Sequence, residues 1–154
     1  MTEVRRSLLA YALAIAACAA LLFVVFELWR ADLRVPLSYE LDSVCTQLWA
    51  RGLIENGWYL ANPRLGAPFG MEMHDFPLSD SLFFGLERLI ALGTSDPVLV
   101  VNLYYFATYF LTTVIALAVL RQFGVPRGPA VVSALLYAFL PYHLQRGERH
   151  LFLA

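Results

Sequence analysis

An uninterrupted apolar run near the amino terminus constrains the fold of this chain more than any other feature. No residue from Ser7 to Phe26 is charged, and this length matches the roughly 20 residues that an α-helix needs to cross about 30 Å of hydrocarbon. A secretory signal peptide is the alternative, because two arginines precede the run and the four residues ending at Cys18 resemble a lipoprotein cleavage box. The sequence after Cys18 stays apolar, whereas a cleaved lipoprotein would present a polar tether. We therefore expect a retained span over about residues 7–29.

Two further apolar runs follow in the second half of the chain. The run Pro97–Leu120 contains no charged residue and is preceded by Asp96, so a capping acid is followed by proline at the first helical position. A third run, Gly128–Leu144, is interrupted by Pro141. We predict the second and third spans at about 97–120 and 124–144.

The composition points to lipid as a partner. Hydrophobic residues make up 60% of the chain and charged residues only 15%, whereas a soluble domain carries roughly a quarter charged residues. The net charge is −1 and no basic patch with interleaved aromatic residues is present, which excludes nucleic acid as the partner. The predicted fold class is an all-α membrane protein, with transmembrane helices embedded in the lipid bilayer.

Arginines in the short flanks predict the orientation of the spans. Arg5 and Arg6 precede the first span, and Arg121 and Arg127 lie between the second and the third. The positive-inside rule makes both flanks cytoplasmic. The protein is then multi-pass with a cytoplasmic amino terminus, and the loop of about residues 30–96 shares the non-cytoplasmic face with the tail from about Tyr142.

The large first non-cytoplasmic loop contains two predicted amphipathic surface helices, at residues 40–55 and 80–92. In the first helix, helical spacing puts Leu41, Val44, Cys45 and Leu48 on one stripe. In the second, one face carries Leu82, Phe83, Leu86, Leu89 and Ile90, and Glu87 and Arg88 point another way. Residues 56–77 between the helices are dense in glycine, proline and aromatic residues, which is typical of an ordered loop packed over a site.

Ionisable residues concentrate on the non-cytoplasmic side. Nine of the twelve acids lie in the large loop, and the three histidines lie in the loop or the tail. Glu40 and Asp42 start the first surface helix, where a partly desolvated carboxylate near the membrane boundary acts as a general base or a ligand of a divalent cation. The alternative is that both acids only complement the helix dipole.

Three other groups of residues carry candidate chemistry, each with a structural alternative. His74 and Asp75, with Asp80 nearby, offer histidine and carboxylate ligands, although Asp80 also suits a helix cap. Arg64 suits a phosphate clamp by its planar fork, or a brace for loop carbonyls. The tail gathers two histidines, two arginines and one carboxylate, namely His143, Arg146, Glu148, Arg149 and His150. This composition of the tail equally suits a solvated helix end. The chain contains no nucleophile elbow, Walker loop or zinc-spacing motif.

Several stretches resemble a known family. Residues 55–70 (ENGWYLANPRLGAPFG), the Asp75-Phe76-Pro77 sequence followed by Asp80, and residues 139–151 are similar to the amino-terminal module of the GT-C superfamily, in particular to bacterial members of unassigned acceptor. These are multi-pass glycosyltransferases that use polyprenyl-phosphate-linked sugars. The similarity covers nearly the whole chain but only about the first quarter of a typical member. We therefore expect the protein to continue beyond Ala154 and the fragment to be inactive alone.

The resemblance implies an inverting glycosyltransferase. A sugar would move from a polyprenyl-phosphate-linked donor to an acceptor on the non-cytoplasmic face of the bacterial inner (plasma) membrane. Asp42 falls on the position of a base or metal ligand, with Glu40 beside it. Glu148 and His150 fall near a position where many relatives carry an acidic pair that in some members binds a metal, so a divalent cation (Mg or Mn) is the expected cofactor. The Glu148-Arg149-His150 sequence departs from that pair, which leaves the metal dependence open.

The remaining predicted site residues bind the substrates. We expect Arg64 and Arg146 to contact the donor phosphate, and Asp75, Asp80 and His143 to complete the substrate-binding set. Two other functions stay open from the sequence. A multi-pass transporter or flippase for a polar or lipid-linked substrate would be favoured by charged residues within further spans. A non-catalytic membrane scaffold would be favoured if Asp42, Glu148 and His150 proved replaceable.

Overall fold

The computed structural model of the protein describes residues 3–74 and 81–147, with only the backbone of Leu41. Over these residues the chain is mostly helical. The elements are α1 (Glu3–Val25), α2 (Leu41–Asn56), β1 (Ala61–Asn62), β2 (Met71–Glu72), α3 (Ser81–Ile90), α4 (Pro97–Gln122), α5 (Arg127–Ala138) and α6 (Pro141–Arg146). Two helices, α1 and α4, are long and apolar enough to cross a membrane.

The chain forms two compact units. The first, called the helix unit, comprises residues 3–32 and 106–145. The second, called the loop unit, comprises residues 33–74, 81–105 and 146–147. Helix α4 begins in the loop unit and ends in the helix unit.

Small residues hold α1 and α5 together in the helix unit. The buried positions of α1 are spaced four apart, at Ala10, Ala14, Cys18 and Leu22. Those of α5 have the same spacing, at Ala130, Ala134 and Ala138. Ala14, Ala130 and Ala134 form one cluster with Leu117 of α4. Because small side chains let two helix backbones approach closely, the alanines of this cluster form the packing surface. At one end of the contact, the Arg127 guanidinium donates to the Glu3 carboxylate.

The third predicted span is divided rather than continuous. Helix α5 has 12 residues and ends at Ala138, and α6 begins at Pro141. Pro141 lacks a backbone N–H and disfavours helical geometry at Leu140, which explains both the end of α5 and the restart with proline in the first position. At 1.5 Å per residue α5 is about 18 Å long, shorter than the hydrocarbon core.

The loop unit is built around α2 and a short hairpin. Helix α2 ends at Gly57, whose positive φ of 84° forms the left-handed cap while its N–H donates to the Leu53 carbonyl. The strands β1 and β2 pair antiparallel, with Ala61 opposite Glu72. Helix α2 approaches the hairpin closely at Gly52, because a Cβ added there would lie 3.2 Å from the Asn62 side-chain nitrogen.

Aromatic rings form the core between α2 and α3. Phe84 of α3 is fully buried and stacks on Tyr59 with ring centroids 3.9 Å apart. The ring of Trp49, on α2, contacts the Phe84 ring edge-on. The Tyr59 and Ser81 hydroxyls lie 3.0 Å apart, within hydrogen-bond distance. These contacts fix α3 against α2.

The apolar stripes predicted on α2 and α3 are exposed. On α2, Val44, Cys45 and Leu48 are exposed, and the buried face instead carries Ser43, Thr46, Ala50 and Leu53. On α3, Leu82 and Leu89 are 73% and 63% exposed. The opposite faces of α2 and α3 therefore pack against the rest of the protein, and these faces include polar side chains.

Candidate functional site

Glu40 and Asp42 lie together at the amino-terminal end of α2, as predicted. Glu40 is the residue before the first helical turn and has extended backbone angles, and Asp42 lies within that turn. Both side chains are exposed. The helix dipole favours negative charge at this end. The geometry thus holds two accessible carboxylates on a short stretch of backbone, which fits a general base and also the dipole interpretation.

Ser43 fixes the backbone that carries these two acids. Its side chain is fully buried, and its hydroxyl lies 3.0 Å from the Ser38 carbonyl oxygen and 2.6 Å from that of Glu40. One hydroxyl proton is shared between the two acceptors. The chain entering α2 is therefore anchored one residue after Asp42, while the carboxylate itself stays accessible.

A second anchor acts earlier in the same connection. Residues 31–39 are irregular, so no helix or sheet ladder fixes their backbone. The side-chain amide of Asn102, on α4, donates to the Leu33 carbonyl at 2.9 Å and to the Val35 carbonyl at 3.0 Å. Asn102 is fully buried. The segment that leads to Glu40 and Asp42 is thus tied to a long helix.

Arg64 has a carboxylate partner. Its guanidinium donates to Glu55 at 2.5 Å, and Arg51 donates to the other oxygen of Glu55 at 2.9 Å. The hydrogen bond from Arg51, together with the charges of both arginines, lowers the pKa of the Glu55 carboxyl. The Arg64 side chain is 70% exposed, and its backbone N–H donates to the Asn62 side chain. A phosphate at Arg64 would share the guanidinium with Glu55.

The structure does not bring Arg64 and Asp42 together. Arg64 pairs with Glu55 in the last turns of α2, whereas Asp42 lies in the first turn. At 1.5 Å per residue, Asp42 and Glu55 are about 20 Å apart along the helix axis. In a sugar phosphate, one oxygen atom joins the phosphorus to the anomeric carbon. Arg64 and Asp42 therefore do not act on the same donor linkage in this conformation.

His143, a predicted substrate-binding residue, is buried within the helix unit. Its Nδ1 lies 2.9 Å from the Ala138 carbonyl, which only accepts, so Nδ1 carries the proton. Nε2 then accepts from the Thr108 hydroxyl at 3.0 Å. The ring also stacks on Tyr109, with centroids 4.0 Å apart. These contacts give His143 a structural role across the break between α5 and α6, and substrate binding by His143 stays a prediction.

The other predicted site residues are only partly described. Arg146 is the last residue of α6 and is half-buried. The predicted ligands Asp75, Asp80, Glu148 and His150 lie outside the described residues. Within residues 3–74 and 81–147, no group of three histidine, cysteine or acidic side chains has the arrangement of a metal site. The predicted divalent cation therefore stays a prediction.

Glu87 is a site candidate that the sequence analysis did not identify. It was expected on the polar face of α3, yet it is only 1% exposed. Within the described part of the chain, neither carboxylate oxygen has a hydrogen-bond partner. Burial raises the pKa of this carboxyl to about 8. The sequence signal for this burial was the strongly apolar stripe on the other side of α3. If that stripe faces lipid, the face that carries Glu87 must pack on protein.

Comparisons with known proteins give no relative from which a role for these residues could be transferred. No family model matches the chain, and neither a curated protein nor a solved structure shows a significant match to it.

Proposed function

We propose that this chain is the membrane-embedded amino-terminal part of an inverting glycosyltransferase. In this proposal the enzyme moves a sugar from a polyprenyl-phosphate-linked donor to an acceptor on the non-cytoplasmic face, with Asp42 as the general base. The observation that carries the proposal is the accessible Asp42 carboxylate on an anchored helix end, 17 positions after the end of α1. The family resemblance of residues 55–70 and 139–151 supports the reaction class.

Residence in a membrane is supported by the surface of α1. Its outward side carries large apolar residues, including Leu8, Leu9 and Leu13, that are at least half exposed. The core helix of a soluble protein would bury such side chains. The packing of α1 on α5 through rows of small residues is also typical of membrane helix pairs. A cleaved signal peptide would not form this contact in the mature protein, so we infer that α1 is retained.

The exposed stripes of α2 and α3 support a location at the membrane surface. Val44 and Leu48 on α2 and Leu82 and Leu89 on α3 are exposed in the protein alone. An amphipathic helix in the interface buries such a face among the acyl chains. This position keeps Asp42 near the headgroups, where the phosphate of a polyprenyl donor lies.

The proposed chemistry needs one base and one leaving group. Asp42 accepts the proton of the acceptor hydroxyl as its oxygen attacks the anomeric carbon. The bond between that carbon and the phosphate oxygen breaks, and polyprenyl phosphate leaves with the bonding electrons. Cations stabilise this developing phosphate charge. Because Arg64 lies at the far end of α2, we assign this role to Arg146 and expect Arg64 to serve the loop structure.

The test is transfer by the full-length protein carrying Asp42→Asn. Membranes from cells that lack the chromosomal gene, complemented with wild-type or variant protein, are given radiolabelled glucose, mannose or arabinose linked to polyprenyl phosphate. We expect the variant to lose at least about 100-fold in transfer rate, as is typical when general-base catalysis is removed. Accumulation of the protein in the membrane should not change, because the substituted amide has nearly the shape of the carboxylate and the position is exposed.

Glu72→Gln is the matched control, because Glu72 is an exposed carboxylate of the same loop unit that lies on β2. This variant should transfer sugar at the wild-type rate. Wild-type rates in Asp42→Asn would remove Asp42 from the mechanism. If the wild-type protein consumes none of the three donors and the gene deletion changes no labelled product, the glycosyltransferase proposal fails for these sugars.

A further inference from the structure

We propose that Asn102 is a positioning residue for Asp42: its buried amide holds the connection at residues 33–40 and thereby sets where α2 presents its carboxylates. The inference rests on the proposed function of Asp42. Asn102 itself does not contact the reacting atoms in this proposal. It acts through the backbone, and both the part of α4 that carries it and the segment it holds belong to the loop unit.

The hydrogen bonds of Asn102 use its full donor capacity. A primary amide carries two N–H groups, and the nitrogen is 2.9 Å from the Leu33 carbonyl oxygen and 3.0 Å from that of Val35. The partners lie 69 and 67 positions away in sequence. Three nearby residues of the same helix, Val100, Val101 and Tyr104, are almost inaccessible. A polar residue thus lies in an apolar stretch of helix, where its amide nitrogen has two specific acceptors.

Two buried side chains, Asn102 and Ser43, anchor this connection. Residues 31–40 form neither helix nor strand, so no ladder fixes their direction. Asn102 holds the segment at Val35, and the buried Ser43 hydroxyl holds it at Ser38 and Glu40. The two anchors bracket the backbone between them, and α2 begins directly after the second. Loss of the first anchor would let the entrance of α2 shift while its carboxyl end stays packed.

Two substitutions remove the donors in different ways. Asn102→Leu keeps a similar side-chain volume but offers the two carbonyls no hydrogen bond. Asn102→Asp keeps the shape and replaces both N–H groups with acceptors, which repel the same carbonyls. Asn102→Ser keeps one donor on a shorter side chain and provides a milder variant if the others do not accumulate. Thr113→Val is the matched control, because it changes another fully buried polar residue of α4 in the helix unit.

The native cysteines provide a direct readout of position. Cys45 is exposed on α2, three residues after Asp42, and Cys18 is buried. Full-length protein carrying Cys18→Ala and Ser95→Cys, with any cysteine beyond residue 154 replaced by alanine, is spin-labelled at positions 45 and 95 and reconstituted in lipid nanodiscs. Ser95 is exposed just before the start of α4. Double electron–electron resonance then measures the distribution of distances between α2 and the start of α4, and a transfer assay on the unlabelled variants gives kcat and KM.

We expect a single narrow distribution for the parent and for Thr113→Val, and a broader or shifted one for the Asn102 variants. Their kcat should fall about 10- to 100-fold, as expected for a misplaced catalytic group. Their KM should stay within about threefold of the wild-type value, because ground-state binding is retained. An unchanged distance distribution in the Asn102 variants would overturn the proposal, even if their kcat fell. If the wild-type protein transfers no sugar, the proposed function fails, and the distance distributions still decide whether Asn102 sets the position of α2.

Discussion

At the scale of single residues, Glu87 has the environment that least suits its chemistry. A carboxylate taken out of water without a hydrogen bond is strongly destabilised, so the group keeps its proton. Burial raises the pKa of Glu87 to about 8, and none of the described residues donates a hydrogen bond to either oxygen. Glu87 is therefore mostly neutral at pH 7 and couples the stability of the loop unit to pH.

The sign of this coupling follows from the two pKa values. In the unfolded chain the carboxyl titrates near 4.5, and in the folded protein near 8. The folded state binds the extra proton between these values, so its stability is greatest below pH 4.5, falls as the pH rises, and levels off above pH 8. We predict that Glu87→Gln removes most of this loss of stability at rising pH. The effect is on the order of 5 kcal/mol over the whole interval, measured as the pH dependence of thermal unfolding in nanodiscs.

Glu72→Gln again serves as control, because Glu72 is exposed. It should follow the wild-type pH profile. If Glu87→Gln shows the same fall in melting temperature between pH 5 and pH 8 as the wild-type protein, then Glu87 does not carry the predicted proton.

Local residue chemistry was predictable where the partners are close in sequence. The pair Asp96-Pro97 predicted the start of α4, and the Asp96 carboxylate does accept hydrogen bonds from the N–H groups of Val98 and Leu99. The contacts of Asn102 with the Leu33 and Val35 carbonyls were not predictable. They join residues far apart in the chain, and an asparagine in an apolar run gives no indication of its acceptors.

At the scale of elements, apolar periodicity predicted which segments are helical. The two surface helices were expected at 40–55 and 80–92, and α2 and α3 occupy Leu41–Asn56 and Ser81–Ile90. The third span was the exception, because Pro141 divides it into α5 and α6. Which face of a helix meets the protein was harder to predict, since an apolar stripe suits a protein core and a lipid surface equally well.

The contact between α1 and α5 leads to a prediction about helix packing. Ala14 is fully buried in the cluster with Ala130 and Ala134, so a larger side chain has no room there. We expect Ala14→Leu to destabilise the protein by about 1–3 kcal/mol, the usual cost of overpacking a close contact. Ala16→Leu is the control on the same helix, because Ala16 is exposed. Thermal unfolding in nanodiscs compares the two variants, and equal melting temperatures would show that α1 does not pack on α5 in the membrane.

At the scale of the whole molecule, the sequence grouped the candidate site residues by side of the membrane but not by distance. Glu40 and Asp42 share one helix end. Arg64 belongs to the same loop, yet its partner Glu55 places it at the other end of α2. The side of the membrane follows from the order of apolar segments and arginines alone. Proximity depends on how the loop folds back, for which the sequence carries no periodic signal.

The side of the membrane on which each segment lies can be tested directly. The proposal requires α2 on the non-cytoplasmic face and the turn between α4 and α5 in the cytoplasm. Arg51 on α2 is charged and its side chain is 65% exposed. In full-length protein whose native cysteines have been replaced, a membrane-impermeant maleimide should therefore label an Arg51→Cys variant in intact spheroplasts. The cysteine-free parent should not be labelled. In the same background, a Gln122→Cys variant, at an exposed position at the end of α4, should react only after the membrane is permeabilised.

The reverse pattern would carry a definite consequence. If the cysteine introduced by Gln122→Cys reacted in intact spheroplasts and the one introduced by Arg51→Cys only after permeabilisation, Asp42 would face the cytoplasm, and transfer on the non-cytoplasmic face would be ruled out. Labelling of both positions in intact spheroplasts would mean that α4 does not cross the membrane. Because the test depends on two exposed side chains on the described helices α2 and α4, it decides the topology without knowledge of the sugar or the acceptor.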